Sequence, residues 1–211
     1  MPRPIKIDAP ALRLDPDRAL ESLDWSEIFG SDCPVEIELG IGVGRFLLAA
    51  ATLRPEVNHL GIEWANKYLR IAERRADKRG LKNIRFARLD GRELICRTVP
   101  DHSVSAYYVF YPDPWPKKRH HKRRILQPAF LELVHSRLLP DGALHIATDW
   151  ANYAEHIDEV FAACSLFVCD ERREHGGEAP MDRPQTKFER RGLRKGHRIY
   201  DWRFAKNPNN H

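Results

Sequence analysis

Glu38-Leu39-Gly40-Ile41-Gly42-Val43-Gly44-Arg45-Phe46 follows an apolar run at 35–39 and leads into a helical pattern at 45–53. Glycines at alternate positions let the backbone turn tightly and approach a ligand at a helix N-terminus. Outward from this turn, apolar β-branched runs at 58–62, 83–88, 104–110 and 142–148 alternate with helical patterns at 66–79, 125–138 and 151–163. That alternation predicts a parallel sheet with crossover helices. Further strands are expected near 166–170 and 198–204. Asn66 suits an N-cap and Gly80 the position just past a helix end. The polar stretch 171–185, with Gly176, Gly177, Pro180 and Pro184, reads as a mobile loop. Residues 1–33, with a short helical pattern near 16–23, read as an N-terminal arm before a single domain at 34–211.

A chain of 211 residues with 42% hydrophobic side chains can bury one sizeable core. No apolar run reaches the roughly 18 residues of a membrane span, and the Met1-Pro2-Arg3-Pro4 start is not a signal peptide. A cytoplasmic protein is therefore expected. Cys33, Cys96, Cys164 and Cys169 show no CxxC spacing, so reduced thiols and no metal site are expected. Net charge is +5, but positive charge concentrates at 117–124 and 187–198. Two such clusters suggest a polyanionic partner.

The dinucleotide fingerprint would place glycine where Arg45 stands, which disfavours NAD. Acid-x-Gly-x-Gly-x-Gly, here Glu38 with Gly40, Gly42 and Gly44, is instead the loop of S-adenosylmethionine methyltransferases. Glu63 ends the second strand, where a carboxylate can accept both ribose hydroxyls of an adenosine. Asp90 ends the third, placed to meet the adenine amino group. Acids at the carboxyl ends of consecutive parallel strands sit at the crevice where open α/β sheets bind ligands.

The fourth strand delivers Tyr111-Pro112-Asp113-Pro114-Trp115, then six Lys/Arg and two His in residues 117–124. Each proline fixes its own φ and extends the residue before it, so Asp113 is a rigid carboxylate beside a block of cations. Lys117, Arg119, Lys122, Arg123 and Arg124 are expected to point at phosphates, and His120 and His121 at phosphate or solvent. Trp115 either stacks on a base or plugs the loop. Asp149 ends the fifth strand, and His197 and Asp201, four apart on a strand, would share a face.

PDPWPKKRHHKRR at 112–124, ATDW at 147–150 and TKFERRGLRKGH at 186–197 together resemble the bacterial tRNA (guanine-46-N7) methyltransferases, the TrmB family. The resemblance covers roughly residues 34 to 204. It implies the class I S-adenosylmethionine-dependent methyltransferase fold, a Rossmann-like α/β sheet of seven strands, mostly parallel with an antiparallel last strand. It also implies methylation of guanosine N7 in tRNA to give 7-methylguanosine. By similarity, Glu38, Glu63, Asp90 and Asp113 line the donor pocket or its mouth, with Asp113 catalytic. Lys117, Asp149, Thr186, Lys187, Phe188 and Glu189 would hold the tRNA. No obligatory protein partner is expected, and the chain is a monomer or a homodimer. Rival readings are an adenine N6 methyltransferase, whose Asp/Asn-Pro-Pro-aromatic motif is loosely similar but lacks the basic run, and a catalytically silent tRNA-binding protein.

Overall fold

The computed structural model describes residues 12–14, 22–176 and 187–207, with the side chains of Lys187 and Phe188 excepted. Along the chain run α1 (Trp25–Phe29), β1 (Val35–Leu39), α2 (Arg45–Leu53), β2 (Asn58–Ile62), α3 (Asn66–Lys78), β3 (Ile84–Ala87), α4 (Gly91–Thr98) and β4 (Val104–Phe110). A 3-10 helix (Lys118–Arg123) follows, then α5 (Pro128–Arg137), β5 (Leu138–Thr148), α6 (Ala151–Ala162), β6 (Phe167–His175), α7 (Lys187–Arg194) and β7 (Ile199–Lys206).

The strands form one sheet in the order β3-β2-β1-β4-β5-β7-β6. β1 pairs in parallel with β2 and β4, β2 with β3, and β4 with β5; β7 runs antiparallel to β5 and β6. This is the expected seven-stranded, mostly parallel sheet. The chain builds outward from β1 to β3 and then returns to place β4 on β1's other side. The switch point therefore lies between β1 and β4, where open sheets bind ligands.

Helices cover both faces, and β1 and β2 are buried at every position while β3 and β4 are buried at all but one. Leu94 and Ile95 of α4, Phe130 and Val134 of α5 and Ile157 of α6 pack with Ile37, Tyr107, Ile146 and Trp202 in the larger core. Leu47 and Leu48 of α2 meet Leu69 and Ala72 of α3 over Ile84 and Phe86. Burying a side chain of that size stabilises by ~1.5–3 kcal/mol. Residues before β1 join the sheet margin: Leu14 N–H donates to Phe86 O and Phe86 N–H to Leu12 O, both at 2.7 Å. Arg13 pairs with both Glu73 oxygens at 2.5 and 2.7 Å.

Five local expectations need correction. Asn66 is the first residue of α3 and not its N-cap, a position that Ala65 takes. The stretch 171–185 is not loop throughout, because β6 continues to His175. β5 begins at Leu138, where the sequence pattern predicts helix, and carries Pro140-Asp141-Gly142 through a register shift opposite Val104 and Ala106. The helices α1, α4 and α7 were not anticipated. His197 precedes β7 and does not share a face with Asp201. The helical pattern near 16–23 falls mostly outside the described residues.

Candidate active site

A cavity of about 650 Å³ opens at the switch point, and Glu38, Glu63, Asp90 and Asp113 all line it with Gly40 and Gly42. The glycine turn has a left-handed residue at every second position, with φ of 75° at Gly40, 52° at Gly42 and 70° at Gly44. An added Cβ at Gly40 or Gly42 would meet nothing within 4 Å, so backbone angle, not crowding, demands glycine there. Gly44 differs: its Cβ would lie 2.8 Å from that of Ala72, so this glycine also lets α2 close on α3.

Two of the acids are held by backbone. Glu63 Oε2 accepts from Gly42 N–H and Oε1 from Ala65 N–H, each at 2.8 Å. The carboxylate thus ties the glycine turn to the start of α3, and each oxygen keeps a second lone pair for a ligand hydroxyl. Asp90 caps α4, its Oδ1 accepting from Arg92 N–H at 3.0 Å and Glu93 N–H at 3.2 Å. Glu38 is buried at 4% exposure at the end of β1. One step back on the same face, Glu36 pairs with Arg54 at 2.5 and 2.7 Å and accepts from Tyr108 O–H at 3.0 Å. Burial, then the nearby Arg54 guanidinium, pushes His59 in this layer down to about 3. Burial and the neighbouring Glu36 carboxylate raise the Tyr108 phenol.

Asp113 sits on the exposed rim between two non-glycine residues with left-handed backbone, Tyr111 at φ 53° and Trp115 at φ 44°. Each such residue costs ~1–3 kcal/mol and persists only where its surroundings impose it. Tyr111 N–H donates to Ala147 O at 2.7 Å, fixing the loop entry to β5. The basic block then divides. Lys117, Arg119 and Lys122 are exposed and lie outside the cavity lining. Arg123 lines the cavity and lays its guanidinium over the Trp115 ring, 5.0 Å from its centroid. Arg124 corrects the sequence reading: it is 1% exposed and turned inward, so it does not point at phosphate.

Asp149 is not a cavity residue. It bonds His197 Nδ1 at 3.2 Å, and α7 packs on it so closely that a Cβ on Gly192 would lie 3.1 Å from its Oδ2. Glu189 of α7 is fully buried. Thr186 lies outside the described residues, as do the side chains of Lys187 and Phe188. Asp201 pairs with buried His175 at 2.8 Å, not with His197. Sequence reading missed Trp64 and Tyr68, exposed aromatics that also line the cavity; their place just after an acid-tipped strand was the available signal. Among the described residues no group of three His, Cys, Asp or Glu could hold a metal, and no helix is long and apolar enough to cross a membrane.

The lining fits S-adenosylmethionine: three acids suit its amino, ribose and adenine donors, the glycine turn leaves room for close approach, and the volume accommodates it. Residues 32–202 match the model of a family described as "Putative methyltransferase". The tRNA (guanine-N(7)-)-methyltransferase of Halorhodospira halophila is 44% identical over 195 residues, covering 92% of this chain and 83% of its own. That of Alkalilimnicola ehrlichii is 41% identical over 207 residues, covering 97% and 86%. Among solved structures, the 16S rRNA methyltransferase KamB superposes with a TM-score of 0.64 at 14% identity, covering 89% of this chain and 95% of its own. That likeness shows the fold; the sequence relatives show more, and by them this chain belongs to the tRNA (guanine-N(7)-)-methyltransferase family.

Proposed function

We propose that this chain methylates N7 of a guanosine in tRNA, at position 46 of the variable loop, using S-adenosylmethionine and forming 7-methylguanosine. Residues 34–211 are the catalytic unit and 1–33 its arm, in a cytoplasmic enzyme that works as a monomer or a homodimer without an obligatory protein partner. The observation that carries the reading is continuity: Asp113, Trp115 and Arg123 line the donor cavity and belong to the strained basic segment outside it.

When bound, the donor supplies a methyl group on a sulfonium. Guanine N7 already has an in-plane lone pair, so no proton is removed and no strong base is required. The protein's task is alignment of N7 with the methyl carbon and sulfur. The purine becomes cationic as the bond forms, and its N1–H and N2–H donors become more acidic. Asp113, at the cavity mouth, is the first candidate to accept those protons' hydrogen bonds, and Asp149, outside the lining, the second; such contacts strengthen towards the transition state. The exposed Lys117, Arg119 and Lys122, with Arg123 at the rim, neutralise backbone phosphates. Thr186, Lys187 and Phe188 position the substrate from α7 and the residue before it, while the fully buried Glu189 acts from within the protein.

Incubation of unmodified tRNA with labelled donor, followed by nucleoside mass spectrometry and aniline scission, tests this directly. Label in 7-methylguanosine with scission at position 46 is expected; label on another base, or none, overturns it.

A further inference from the structure

Arg124 is the one cation of the basic segment that is fully buried, and its contacts converge on the active-site loop. Its Nε–H donates to Pro114 O at 3.0 Å, immediately after Asp113. Its Nη2 donates to Asn152 Oδ1 at 2.7 Å and lies 3.1 Å from His121 Nε2. Nη1 reaches Asn152 O at 3.5 Å, and the guanidinium lies over the Tyr153 ring, 4.8 Å from its centroid. Asn152 and Tyr153 belong to the first turn of α6, which starts two residues after Asp149.

One side chain therefore joins the loop after β4 to the helix after β5. The first carries Asp113 on the cavity rim; the second begins two residues after Asp149, which lies outside the cavity lining. Pro114 has no N–H to donate, and Trp115 is held in a backbone conformation that needs external support. We propose that Arg124 is a positioning residue, which sets the placement of Asp113 relative to Asp149 and makes no contact with RNA phosphate. A guanidinium is required because a fork of planar donors reaches the Pro114 carbonyl and the Asn152 amide oxygen at once, which an ammonium cannot do.

The proposal rests on the tRNA-methylation reading above. A wild-type chain that modifies no tRNA sinks that reading; an active wild type lets the variants judge this one. For Arg124→Lys, we expect the single-turnover rate to fall tenfold or more while tRNA Kd and its salt slope stay at wild-type values. Asn152→Ala should fall in the same direction, and the double variant should lose no more than the worse single. Guanidinium added at millimolar concentration should partly restore Arg124→Ala, which a general loss of packing would not show. A salt slope that drops in Arg124→Lys by ~0.7–0.9, the signature of a lost phosphate contact, overturns the proposal. So does an unchanged rate. If thermal unfolding shows that Arg124→Lys does not fold, Asn152→Ala decides alone: a wild-type rate there rejects the clamp.

Discussion

The two halves of the cavity are built by different means. On the β1–β3 side, shape comes from backbone: left-handed glycines, a carboxylate accepting two main-chain N–H groups, and an aspartate capping α4. On the β4–β7 side it comes from side chains clamping a strained loop: Arg124 on Pro114 O and Arg123 over Trp115. The first arrangement suits a donor of one fixed shape. The second leaves its acid and most of its cations exposed on the rim, as a site for a large polyanion must.

The largest effect should come where the clamped half meets the chemistry. Asp113→Asn keeps the size of the side chain but removes its charge. A lost transition-state acceptor of this kind costs ~10²–10³ in turnover, and tRNA affinity should change little, because phosphates dominate it. Filter binding beside single-turnover rates checks this. Affinity collapsing in step with turnover would make Asp113 an anchor for the RNA.

Next come two glycines with nearly the same backbone angle on opposite halves. Gly44 at φ 70° also touches Ala72, whereas Gly196 at φ 74° has nothing within 4 Å of an added Cβ. Gly44→Ala should therefore cost ~2–4 kcal/mol, from strain plus overpacking, and weaken binding of S-adenosylhomocysteine. Gly196→Ala should cost only the ~1–2 kcal/mol of strain. Denaturant midpoints measure both; equal losses would show that contact with α3 contributes nothing.

These differences explain what was legible in the chain. Glycines and acids at strand ends stand out because the backbone accepts few substitutes at fixed spacings, so Glu38, Glu63 and Asp90 could be placed on one edge from spacing alone. β6 could not be read to its end: between buried Phe167 and His175 every residue is exposed or half-exposed, so no period-two pattern exists. A charged edge strand of that kind guards against pairing with other chains. α4 is eight residues long and starts at a glycine, too short for a helical period to declare itself. Arg123 and Arg124 are neighbours of one residue type that face opposite ways, and no composition rule tells which is buried.

Beneath the donor half, His59 offers a pH test. It stays neutral in the fold down to about 3, whereas the unfolded chain takes up its proton near 6.5. Between those values the unfolded state binds more protons, so stability falls as pH drops, by ~1.4 kcal/mol per unit at most from this group. Glu36, 3.6 Å away, is already paired with Arg54. Urea titrations from pH 7 to pH 4 should show a shallower pH dependence in His59→Gln; identical slopes would place the proton uptake elsewhere.

The smallest effects separate the cations of the basic segment from one another. Arg119 and Lys122 are exposed and make no ion pair among the described residues, so each is available to one phosphate. Removing either should lower the log–log salt slope of tRNA binding by ~0.7–0.9 and leave the methyl-transfer rate of the saturated complex unchanged. Arg123 should show both effects, because it lines the cavity and braces Trp115. A charge run read as one solvated face would yield the same slope change at every position. Slopes that fall for Arg119→Ala and Lys122→Ala, with a rate that falls only from Arg123 onward, would show that the segment changes function along its length, from gripping the polyanion to holding the loop that presents Asp113.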